Sequence, residues 1–109
     1  MNLIKSYHAH FYFDHNSIET AKAIYTKGNK LNNIRIGNFN DKIVGPHPTW
    51  SFMFDFPVKE LTNIMAWIPF NREGLSVLVH PNTGNAYLDH IDYASWFGKR
   101  LELNISKLK

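Results

Sequence analysis

Between residues 7 and 13 the chain alternates. Tyr7, Ala9, Phe11 and Phe13 fall on one face of an extended segment, and His8, His10 and Tyr12 on the other. The first is a core face. The second is polar and aromatic, which suits a site or an interface. Asp14-His15-Asn16-Ser17 then reads as a turn, with Asn16 or Ser17 as the helix cap; Thr20 stands where a full capping box needs Glu or Gln. The period then lengthens. Ile18, Ala21, Ile24 and Tyr25 stand at helical spacing, which predicts a helix over 18–27 ended by Gly28.

Alternation returns over 34–39, a second strand. Residues 43–48 are stiff and extended, because Pro46 and Pro48 each fix φ and bias the preceding residue away from the helical region. A third strand over 50–56 puts Trp50, Phe52, Phe54 and Phe56 on one face and Ser51, Met53 and Asp55 on the other. Pro57 suits the first turn of a helix whose apolar stripe is Leu61, Ile64, Met65 and Ile68, and which Pro69 ends or kinks. The apolar run 75–79 predicts a fourth strand, delivering His80 to a turn marked by Pro81 and Gly84. Residues 89–98 read as a short helix capped by Asp89 and stopped at Gly98, and 101–103 as an added edge strand.

The order is β-α-β-β-α-β with a C-terminal extension, an α+β class chain of the ferredoxin-like sandwich type. That topology gives the strand order 4-1-3-2. With strands one and three taken as parallel in the middle, and strand four antiparallel beside strand one, His8, His47 and His80 are expected at one edge of the sheet. His10 lies one pleat further in, on the face of His8. These four histidines are the candidate metal ligands, since neutral imidazole suits zinc, iron, copper or nickel. His15, at a turn, reads as a surface residue, and so does Arg72, which could otherwise steer a substrate carboxylate. Asp14, Asp55, Asp89 and Asp92 could each add a carboxylate, and none is singled out by position.

Composition narrows the classes. A length of 109 residues, 44% hydrophobic and 15% aromatic, fits one domain over 1–109. The absence of cysteine excludes disulfides, thiolate metal sites and a cysteine nucleophile. The net charge of +3 comes from scattered lysines and forms no nucleic-acid stripe. No apolar run approaches the roughly 18 residues of a membrane span. The first five residues lack the apolar segment of a signal peptide, so the expected location is cytoplasmic. Neither a serine-nucleophile elbow nor a glycine-rich phosphate loop is present.

Several motifs together carry a resemblance. They are Tyr7-His8-Ala9-His10-Phe11-Tyr12-Phe13, Val44-Gly45-Pro46-His47-Pro48, the run from Asn71 through His80-Pro81-Asn82-Thr83-Gly84, and Asp89-His90 with Trp96-Phe97-Gly98. From about Tyr7 to about Leu103 the chain resembles the small DOPA 4,5-dioxygenase family of bacteria and fungi. The resemblance implies a ferredoxin-like fold, often as a homodimer. It also implies extradiol cleavage of a catechol such as DOPA with O2 on non-haem iron(II), with zinc or another divalent ion as alternatives. Carried over, the His-X-His motif falls on His8 and His10, the Gly-Pro-His-Pro histidine on His47, the His-Pro-Asn-Thr-Gly histidine on His80, and the Asp-His pair on Asp89 and His90. Three of His8, His10, His47 and His80 are then the expected ligands, with His90 and His8 as acid–base candidates. The competing expectation is a metal- or small-ligand-binding protein of the same fold that opens no ring.

Overall fold

The computed structural model describes residues 3–109. Strand β1 (Ser6–Phe13) leads through a one-turn 3-10 segment into helix α1 (Ile18–Gly28). Strands β2 (Arg35–Ile36) and β3 (Trp50–Pro57) follow, then helix α2 (Leu61–Asn71), strand β4 (Val77–Pro81), helix α3 (Ala86–His90) and strand β5 (Ser95–Phe97). The sheet has the order β2-β3-β1-β4-β5. Its first four members are the expected ferredoxin-like arrangement, and β5 extends it beyond β4.

One premise is corrected. β1 is antiparallel to β3 as well as to β4, and β3 is antiparallel to β2. The α1 crossover makes β1 and β2 parallel, and β3 returns between them and must oppose both. The start of β1 therefore lies beside the ends of β3 and β4, as Ser6↔Pro57 and Tyr7↔Pro81 show. His47, just before β3, starts from the opposite end of the sheet from His8.

The core forms where both helices cover one face. Ala9, Phe11 and Phe13 meet Phe52, Phe54 and Phe56, with Ile24 from α1 and Ile64 and Ile68 from α2. Gly28 is the last residue of α1, and it is there for space. A Cβ would stand 2.5 Å from the Phe54 ring, closer than packed carbon atoms come. Pro69 does not end the helix; it sits within the last turn of α2, which runs on to Asn71. At the start of the first helical segment the cap is Asp14, which accepts from the backbone N–H groups of Asn16 and Ser17 while the Ser17 hydroxyl closes a capping box.

The second face of the sheet carries Tyr12 and Leu78, covered by Leu103, Ile91, Trp96 and Leu108. Here the sequence reading is also corrected. The helix near residue 89 begins at Ala86, capped by Asn85, and ends at His90. Ser95–Phe97 is a strand paired with β4, and 101–103 forms no strand. Asp89 is no cap because its carboxylate points back to the preceding turn, where it accepts from the Thr83 backbone N–H and hydroxyl.

Candidate metal centre

The second face of the sheet holds five imidazoles. Antiparallel register puts His8 of β1 directly opposite His80 of β4. His10 follows two residues along on the same face. One ring nitrogen from each of His8, His10 and His80 lies within 4.8 Å of the other two. His47 arrives by a different route from the one its place in the sequence suggests. The chain turns tightly from Val44 to His47, and the Pro46 carbonyl accepts from the Asn104 backbone N–H in the C-terminal extension. This lays His47 across the sheet face, its ring centroid 4.2 Å from that of His10. Convergence thus takes place on the face and not at one edge. His90, at the end of α3, stands 4.0 Å from His80 between ring centroids. His15 stays exposed in the turn after β1, away from the others.

Hydrogen bonds fix which nitrogens carry lone pairs. Nδ1 of His80 lies 2.9 Å from the Pro81 carbonyl oxygen, and a carbonyl can only accept. The proton is therefore on Nδ1, and Nε2 presents its lone pair. Nδ1 of His90 donates in the same way to the Ala86 carbonyl at 2.8 Å. The Tyr12 hydroxyl and Nδ1 of His47 share a hydrogen bond of 2.7 Å. Burial raises the Tyr12 pKa, so the phenol keeps its proton.

Burial also favours the neutral form of His8, His10, His47 and His80. His10 is pushed well below its ordinary value by desolvation, then by His47 and His80. Desolvation brings His47 and His80 down to about 4. His8 is lowered less, since the Asp55 carboxylate opposes the effect of burial. Neutral imidazoles are the form that binds a metal.

Nε2 of His10 and Nε2 of His80 are 3.0 Å apart. Two nitrogens each about 2.1 Å from one ion, and about 90° apart, are separated by about 3.0 Å. The donor set and its spacing therefore fit a divalent transition metal, which would displace the proton that His10 Nε2 donates to His80 Nε2 in the metal-free chain. Among the expected carboxylates, Asp89 is committed to Thr83 and Asp14 to its helix cap. Arg72 is turned to the Leu75 carbonyl, where it braces a loop. Two side chains gained a partner that the sequence reading had not given them, Tyr12 in His47 and Asp55 in His8. Tyr12 shares the face of His8 and His10, and alternation alone put it there. Asp55, the lone carboxylate on an aromatic strand, lies opposite His8, which only the β1–β3 register reveals.

A cleft of about 510 Å³ adjoins the cluster through His90, with Tyr87, Trp96, Arg100 and Glu102 in its walls. A larger cleft of about 840 Å³ lies on the other side of β4, between Tyr7, Leu61, Met65 and Leu88. No histidine lines it, so size alone does not make it the site.

The chain is similar to known proteins. A DOPA 4,5-dioxygenase from Amanita muscaria is 31% identical over 114 residues, covering 96% of this chain and 50% of that protein. An uncharacterized 21.2 kDa protein from Botryotinia fuckeliana is 34% identical over 84 residues, which is 70% of this chain and 46% of that protein. The chain thus spans about half the length of the curated relatives it matches. The crystal structure of a proposed dioxygenase from Nostoc punctiforme has the same fold. Its TM-score is 0.93 at 38% identity, over 96% of this chain and 91% of that one. The model of the Dopa 4,5-dioxygenase family matches residues 7–107, and the chain belongs to that family.

Proposed function

We propose that the protein is a metal-dependent extradiol dioxygenase that opens the ring of a catechol, DOPA or a relative of it, with O2. One observation carries the reading: three neutral imidazoles offer nitrogens within 4.8 Å of one another. His8, His10 and His80 would hold the ion, iron(II) for this chemistry. Bound there, iron(II) supplies the electron exchange between a catecholate and dioxygen that neither organic side chains nor O2 alone provide.

The chain does the rest. The carbonyls of Pro81 and Ala86 fix the tautomers of His80 and His90. His90 faces the smaller cleft with Nε2 free to accept a proton from a substrate hydroxyl, and returns it to the opening ring. His47, paired with Tyr12, sits on His10 and serves as the second proton-handling imidazole in place of a fourth ligand. Trp96 and Tyr87 give that cleft aromatic walls suited to a catechol ring. His8 is the least enclosed of the three ligands, with 26% of its side chain exposed, and marks the side from which O2 and water reach the ion.

The test is anaerobic loading with iron(II), followed by DOPA or catechol and then air. Oxygen uptake equal to catechol consumed, and a product heavier by both oxygen atoms, is the expected result. Tight iron binding with no uptake on any catechol would leave a metal-binding protein and refute the enzyme.

A further inference from the structure

Four side chains form one transverse row across the sheet. Arg35 of β2 is in register with Asp55 of β3, Asp55 with His8 of β1, and His8 with His80 of β4. The row is in polar contact as well as aligned. Arg35 Nη2 donates to Asp55 Oδ2 at 2.6 Å, and Asp55 Oδ1 lies 3.3 Å from His8 Nε2. In-register neighbours on one face are the pairs through which strands couple their side chains. Here the coupling runs from an exposed arginine to a half-buried histidine at the candidate metal centre.

The chemistry of the carboxylate sets the direction. An ionised Asp55 can only accept, so a favourable contact at this 3.3 Å requires a proton on His8 Nε2. A neutral His8 protonated there carries its lone pair on Nδ1. Arg35 occupies the other carboxylate oxygen, which leaves Oδ1 to His8. His80 has the reverse arrangement, with the proton on Nδ1 and the lone pair on Nε2. The two histidines, directly opposite on neighbouring strands, are thus fixed in opposite tautomers by different partners.

We propose that Asp55 is a positioning residue that locks His8 in the tautomer with its lone pair on Nδ1, and that Arg35 holds Asp55 in place to do so. The consequence for metal affinity rests on the reading of His8 as a ligand. Carboxylate partners of metal-bound histidines typically change affinity by about 10- to 100-fold.

Two measurements on the full chain separate the parts. Two-bond proton–nitrogen NMR of the metal-free protein, with His8 assigned from the His8→Gln spectrum, reads the tautomer. Cobalt(II) titration followed by its visible absorption reads affinity. The wild type is expected to show His8 protonated at Nε2. Asp55→Asn, whose amide can donate to Nε2, is expected to move that proton to Nδ1 and to weaken cobalt(II) binding about 10- to 100-fold. Arg35→Gln is expected to do less in the same direction, and Asp55→Glu to restore the wild-type tautomer. A thermal midpoint close to wild type in Asp55→Asn separates positioning from loss of fold. A wild-type His8 protonated at Nδ1, or one whose tautomer is the same in Asp55→Asn, overturns the positioning role. A wild type that binds no cobalt(II) overturns the metal reading instead, whatever the tautomer.

Discussion

At His10 and His80 the decisive quantity is a proton. Each buried ring is worth a ligand only while neutral, and burial, helped by the surrounding imidazoles, keeps it so. Replacing either by alanine removes a nitrogen from a pair set 3.0 Å apart. His10→Ala and His80→Ala are each expected to abolish stoichiometric cobalt(II) binding, and His15→Ala to leave it unchanged, as read by equilibrium dialysis. The histidines themselves were legible. Alternation put His8 and His10 on one face, and the apolar run 75–79 pointed to His80. His47 was legible as a member of the set but not in its path. Proline stiffness says that residues 43–48 are extended; it does not say that they fold back over the sheet, because the Asn104–Pro46 hydrogen bond that anchors them joins residues far apart in sequence. Asp55 was one of four possible carboxylates, and its place was hidden for a similar reason, since its partner is set by strand register.

Among the elements, the turn after β4 and helix α3 act as one piece. The buried Asp89 carboxylate accepts from both polar hydrogens of Thr83, so the His-Pro-Asn-Thr-Gly turn is tied to the helix that ends in His90. Gly84 supplies the turn's left-handed backbone, with φ at +97°. Asp89→Ala leaves the Thr83 donors without that acceptor, a loss of about 1–3 kcal/mol. A lower thermal midpoint is expected, together with loss of the nuclear Overhauser contacts between His80 and His90. Residues 89–98 were misread for a physical reason. Asp before an apolar run is a good cap signal, but here the carboxylate is spent on Thr83, and Asn85, four residues earlier, caps instead. Residues 95–97 then pair with β4, a choice that local propensity does not dictate. The longer elements were plain, because α1, α2, β1 and β3 each repeat their period over 8 residues or more.

For the whole molecule, the sheet order followed from the alternation of strand and helix patterns, while strand direction required the crossover to be followed correctly. Among the described residues no helix is long and apolar enough to cross a membrane. The buried histidines make stability depend on pH. His47 and His80 titrate at about 4 in the fold, against 6.5 as the ordinary value. Between those values the unfolded chain binds more protons, so stability rises with pH. Their contribution is complete above about 6.5 and is lost as pH falls towards about 4. The thermal midpoint of the metal-free chain is therefore expected to drop between pH 6.5 and pH 4, and a flat profile would mean that these rings are already charged in the fold.

The most direct measurement is an anomalous difference map at the iron edge, from crystals grown without oxygen in iron(II). One peak is expected about 2.0–2.2 Å from a ring nitrogen of each of His8, His10 and His80. A map in which iron is absent from these three nitrogens, or lies elsewhere on the chain, would contradict the metal centre.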